Sequence, residues 1–198
     1  MTDLTDRDEA PGWDAIDAAL ADLYPGIEPR HVGYPPGVHF GSGLQGCSAY
    51  PTEEFWHYVS YGLTELWAKD AESDPRWSGW GFELTMRVRR LPGQDLAPGW
   101  PFSLLEHLAR FVRDQRALLA DGHKVDLRQP LTDGSGLTAV AFAFDPELDP
   151  MDTANGRVEF LTAVGISPDE LAALHDGEWS LDDLGDPMLV TDPTRAAS

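Results

Sequence analysis

The chain has 198 residues, 42% of them hydrophobic, with 34 acidic against 14 basic residues for a formal charge of −20. That apolar content supports one sizeable core and argues against a disordered chain; the negative field disfavours nucleic acid and anionic membrane, and suits a basic or amphipathic partner or plain solubility. The single cysteine, Cys47, excludes an internal disulfide and multi-cysteine zinc sites.

The N-terminus, MTDLTDRDEAPGW, lacks the basic region and apolar centre of a signal peptide. No apolar run is of membrane-spanning length. The expectation is a cytoplasmic protein with residues 1–12 disordered, one domain over 13–192 and a frayed end over 193–198. Residues 14–24 read as the first helix, with Trp13, Ile16, Leu20, Leu23 and Tyr24 on one stripe and Pro25-Gly26 as its stop. Residues 31–46, rich in Gly and Pro, read as turns and short extended pieces, and 44–50 as a strand edge. FWHYVSYGL (55–63) reads as a strand with Gly62 at a bulge or exit, followed by a short helical turn over 64–69 and a loop over 70–79. In the strand over 80–91, Phe82, Leu84, Met86 and Val88 face one way, and Glu83, Thr85, Arg87 and Arg89 the other. Residues 102–120 read as the longest helix, ended by Asp121-Gly122. Strands follow over 125–127, 137–144 and 157–164, with Asn155-Gly156 as a turn before the last. Ser167, Pro168 and Glu170 spell a capped helix over 168–175, and 188–191 a last short strand. There is no repeat and no linker, so the pattern implies one mixed α/β (α+β) domain.

No constellation in the sequence carries an active site. Glu83 and His57 make the one acid–imidazole pair an enzyme could use, and a solvated sheet face with Glu83 bonded to Arg87 or a neighbouring strand is the plainer reading. FGSGLQG (40–46) matches no phosphate-binding pattern and reads as turns at Gly41, Gly43 and Gly46. His31, His39, Cys47 and His57 lack metal-ligand spacing, and the acidic 145–152 run lacks a calcium ladder. The arginines at 87, 89, 90, 110, 113 and 116 read as surface partners of local carboxylates. No cofactor and no metal are expected. What stands out is an aromatic excess near strand ends, at Trp56, Tyr58, Tyr61, Trp67, Trp77, Trp80 and Trp100, whose exposed members would anchor a protein partner.

EFWHYVSYGLTELW (54–67), SGWGFELTMRVRR (78–90) and GWPFSLLEHLARFV (99–112) resemble, in order and spacing, three successive signatures of the Suppressor of fused domain. FLTAVGISPDELAAL (160–174) and LVTD (189–192) extend the resemblance over about residues 25–192. It implies a single compact domain with a mixed, mostly antiparallel sheet flanked by helices, and a non-enzymatic, protein-binding role. The animal member is a negative regulator in Hedgehog signalling. It holds a transcription-factor segment as an added β-strand between this domain and a second one. Many bacterial relatives are regarded as immunity proteins of polymorphic toxin systems. With 198 residues, the expectation is a stand-alone domain without the second one, and the composition hints at a bacterium. Phe111 stands where the animal protein has a ligand-contacting Tyr, and His123 falls at an acidic ligand-contacting position. The expected protein-binding residues are thus Trp56, Tyr58, Tyr61, Trp80, Phe111 and His123, with Phe82, Glu83, Leu84, Met86 and Val88 structural. The expected partner is a protein or peptide, in sharpest form a basic toxin domain. A regulatory or scaffold role without a toxin is the second expectation, and a hydrolase-like enzyme using His57 and Glu83 the third.

Overall fold

The computed structural model describes residues 9–34, 43–70 and 72–195. The chain runs through α1 (Pro11–Leu23), β1 (Arg30–Gly33), β2 (Gly46–Pro51), β3 (Phe55–Tyr61), β4 (Trp77–Arg89) and α2 (Trp100–Gln115). It continues through β5 (Lys124–Asp126), β6 (Ala139–Phe144), β7 (Met151–Thr153), β8 (Gly156–Ile166), α3 (Pro168–Asp176) and a 3-10 helix at Leu181–Leu184. The strands form one sheet in the order β1-β2-β3-β4-β8-β6-β5, with β7 also pairing to β8. Among the strand ladders of the described residues β4–β8 alone is parallel, so the sheet is mixed and mostly antiparallel, with helices on both faces.

Strand alternation sorts the side chains between two cores. Phe82, Leu84, Met86 and Val88 of β4 join Trp56 and Tyr58 of β3 and Val140 and Phe142 of β6 beneath Phe102, Leu105, Leu108 and Val112 of α2. The opposite face carries Val59, Tyr61 and Phe160 under Ile16 and Leu20 of α1. Further along that face Ala139, Ala141 and Ile166 receive Leu171 and Leu174 of α3. Parallel register holds the layers together, with Leu84 beside Leu161 on one face and Glu83 beside Phe160 on the other.

α1 starts at Pro11, inside the segment expected to be disordered, because Gly12 lets the helix touch the chain at 65–66; a Cβ there would lie 2.0 Å from the Glu65 carbonyl oxygen. Residues 1–8 lie outside the described residues. The helical turn expected over 64–69 does not form. That segment instead runs as an irregular connection held by the amides of Gly12 and Trp13, which donate to the Leu66 carbonyl, and by Asn155 Nδ2, which donates to the carbonyls of Glu65 and Trp67. β2 is no edge, since β1 pairs along it. α2 stops short of 120 because Arg116 turns left-handed at φ 49°, and the amides of Arg116 and Ala117 both close on the Val112 carbonyl. The strand expected over 188–191 reduces to one bridge between Thr191 and Val88. Within the expected frayed end, Arg195 pairs with Glu170 of α3; residues 196–198 are not described. Among the described residues no helix is long and apolar enough to cross a membrane.

Candidate functional site

β3 and β4 set His57 opposite Arg87 on the α1 face. Both side chains are fully buried, which corrects the expectation of a solvated face and of Arg87 as a surface cation. Asp145, just after β6, is their common partner. Arg87 donates to its two oxygens at 2.9 and 2.7 Å, Thr85 Oγ1 donates at 2.5 Å, and His57 Nε2 lies at 3.1 Å. The amides of Glu147 and Leu148 donate to Asp145 Oδ1 as well. Burial alone would raise the Asp145 carboxyl, but the His57 hydrogen bond and the Arg87 charge outweigh it and hold the group far below the usual carboxylate range. Burial lowers His57, so the ring is neutral. The Tyr24 hydroxyl then donates to Nδ1 at 2.8 Å, and Nε2–H donates to Asp145.

Glu83 belongs to a different set. The β3–β4 ladder ends at Val59 and Thr85, and the Glu83 carboxylate fills the fork beyond it. It accepts from Ser60 Oγ (2.5 Å), Thr64 Oγ1 (2.7 Å) and the amides of Gly62 (2.8 Å) and Thr64 (2.9 Å). Burial raises its carboxyl against the pull of these four donors. The expected His57–Glu83 catalytic pair is therefore not assembled: each group is sealed in the core and bound elsewhere. The amides of Gly43 and Leu44, in the glycine-rich stretch, grip the Glu106 carboxylate of α2 at 2.9 and 3.0 Å. His31 Nδ1 meets Ser48 Oγ, Cys47 is buried, and Gly41 and His39 lie outside the described residues. Among the described residues no group of three or more His, Cys, Asp or Glu side chains is placed to hold a metal ion.

Of the expected binding residues, Trp56, Tyr58 and Tyr61 are corrected to core. They are 3%, 0% and 1% exposed, because both faces of the central strands are covered by helices. Tyr58 donates to the Pro98 carbonyl and Tyr61 to Asp17, so even their hydroxyls are committed. Trp80, Phe111 and His123 are brought to one side of the molecule. Phe111 and His123 line a groove of about 480 Å³ with Leu118, Leu119 and Val125, and Trp80 lines an adjoining depression that shares Leu118 and Leu119. β5 forms the rim of the groove and ends the sheet order. The Phe142 amide donates to His123 and the Leu127 amide donates to Thr138, which fixes the alternation. The main-chain groups of Lys124 and Asp126 consequently point away from β6, to an edge with which no other strand of the described residues pairs.

Leu118, 68% exposed, and the β5 edge were missed in the sequence. Leu118 falls in the 102–120 stretch that reads as helix, and the three residues of β5 carry too little pattern to show that they end a sheet. Asp145 was missed because it sits in an acidic run that reads as solvent-facing.

The Suppressor of fused protein family model matches residues 41–196. The chain is 34% identical over 157 residues to the Suppressor of fused homologs of Homo sapiens and of Mus musculus, and the match covers 72% of this chain and 32% of each relative. The chain thus spans about a third of the length of these curated relatives. A chain of the Sufu-Fu complex crystal structure superposes with TM-score 0.84 at 28% identity, over 96% of this chain and 93% of that one. Drosophila Suppressor of Fused gives TM-score 0.83 at 26% identity, over 100% of this chain and 54% of that one. A Suppressor of fused homolog from Neisseria gonorrhoeae shares the fold, with TM-score 0.64 at 18% identity over 94% and 96% of the two chains.

Proposed function

The chain belongs to the Suppressor of fused family, and from that premise we propose that it is a non-enzymatic protein-binding module that takes an extended peptide along the free edge of β5. The observation that carries this reading is the juxtaposition of that edge with the groove of Phe111, Leu118, Leu119 and His123. An added strand would bond to the outward groups of Lys124 and Asp126 while alternate side chains enter the groove. A related chain in the Sufu-Fu complex crystal structure supports partner binding as the role of the fold. The charge of −20 favours a basic partner, and an immunity protein held on a basic toxin domain is the specific form of that reading.

Selection of displayed random peptides on the folded chain tests the proposal. Bound peptides are expected to protect the amides of residues 124–126 from hydrogen exchange. Lys124→Pro removes one outward donor and no bond of the β6 ladder, and is expected to weaken them about tenfold relative to Lys124→Ala, which likewise loses the Lys124 Nζ bond to the Leu174 carbonyl of α3 but keeps the amide. Peptides that bind the two variants equally and protect no amide of β5 would overturn it. For the immunity form, a toxin gene beside this one whose basic domain binds at low salt is the expected finding; a partner without basic character sinks it.

A further inference from the structure

Beside the β5 groove lies a depression of about 580 Å³. Gly79 and Gly81, at φ 55° and 85°, fold the start of β4 so that the Trp77 ring lies over Gly81, where a Cβ would meet Cε3 at 3.0 Å. Trp77 is left 41% exposed and stands with Trp80 and Phe82 as the wall. The rim carries three carboxylates, Glu65, Asp74 and Glu159, against one cation, Lys69. The Lys69 ammonium is occupied by the carbonyls of Asp74 and Trp77. Asp74 pairs with Arg76 at 3.0 Å, and Glu159 lies 3.7 Å from Arg157. Glu65 has no ion pair among the described residues.

We propose that this depression receives a lysine or arginine side chain of the protein partner, its charge over the indoles of Trp77 and Trp80 and facing Glu65. This rests on the protein-binding reading and sharpens it. Because the two depressions share Leu118 and Leu119, the basic residue lies just beyond the segment laid on β5. A long basic side chain satisfies both parts of the lining, its methylenes against Leu118 and Phe82 and its charge on the aromatic faces and carboxylate rim. A purely apolar side chain would desolvate the unpaired Glu65 carboxylate without supplying a counter-charge, and an acidic one would be repelled by it.

The probes are N-acetyl-arginine amide and N-acetyl-lysine amide, with N-acetyl-norleucine amide as the uncharged control, titrated while the indole N–H resonances of Trp77 and Trp80 are followed. Millimolar binding by one or both basic probes is expected, about 4 kcal/mol for a single anchored side chain, with the control at least threefold weaker. Glu65→Gln, a change at an exposed position, is expected to cost the basic probes about three- to fivefold and the control nothing. Equal binding of the control, or no effect of Glu65→Gln, overturns the proposal. The peptide selection separates the two claims. Peptides that protect β5 without preferring a basic residue defeat this inference alone. Indole shifts with arginine amide, in the absence of any β5-protecting peptide, defeat the strand-addition reading and leave this one standing.

Discussion

Arg87, Thr85 and His57 all end on Asp145, so that one carboxylate organises the polar part of the α1-side core. Removing it strands Arg87, whose remaining counter-charge, Glu147, is 30% exposed in its side chain. Asp145→Ala is expected to cost about 3–5 kcal/mol in urea unfolding, the range for breaking a buried pair from one side; a loss below about 1 kcal/mol would mean the cluster is solvated in solution. The same residues set the acid response. His57 is lowered by burial, so the unfolded chain takes up the proton first, and stability falls as the pH drops below about 6.5. Asp145 is held far below its usual range, so a second loss begins as the pH drops through about 4. Glu83 works in the opposite sense. Its raised carboxyl contributes stability at low pH that is lost as the pH rises from about 4.3 through the folded value. His57→Gln should therefore shrink the difference in urea midpoint between pH 5 and pH 7, and an unchanged difference would assign the acid loss to other groups.

At the scale of the element, helices are held by a few local contacts. Ser167 Oγ accepts from the Glu170 amide while Glu170 accepts from the Ser167 amide, so Ser167→Ala should cost about 1 kcal/mol. Gly12→Ala pushes a methyl into the Glu65 carbonyl and should cost about 1–3 kcal/mol by displacing α1 from the 64–66 segment; calorimetry that finds it neutral would show that α1 docks loosely. This contrast explains what was legible in the sequence. α3 was readable because its cap is written in four consecutive residues. The apolar face of β4 was readable because alternation over Phe82, Leu84, Met86 and Val88 is local. The other face of β4 was misread as solvated, because the partners that bury Arg87 and Glu83 come from Asp145 and from Ser60 and Thr64, far along the chain. The end of α2 was invisible since an arginine, not a glycine, takes the left-handed position. Trp56, Tyr58 and Tyr61 look alike in composition to the surface Trp77, and only the helix cover over the sheet separates core aromatic from binding aromatic.

For the whole molecule the governing quantity is the excess of acidic groups. With 34 carboxylates against 14 basic residues, many carboxylates have no cation to pair with. Surface pairs such as Arg76–Asp74 and Arg128–Asp126 are exposed and worth little. The buried Arg87–Asp145 pair is shielded from solvent ions. What salt acts on is therefore mainly the repulsion between unpaired carboxylates, which opposes the compact state. Raising sodium chloride from about 10 mM to about 0.5 M cuts the screening length from about 30 Å to under 5 Å and should raise the melting temperature by a few degrees. A lower melting temperature would mean that surface ion pairs outweigh repulsion. Binding should respond with the opposite sign. A basic partner drawn by this field, with a cationic side chain at Glu65, associates more slowly and more weakly as salt rises. A fold that tightens while its complex loosens, over one salt titration, is the signature of an acidic binding surface. A complex held only by apolar contacts at Leu118 and Phe111 would keep or gain affinity under the same salt.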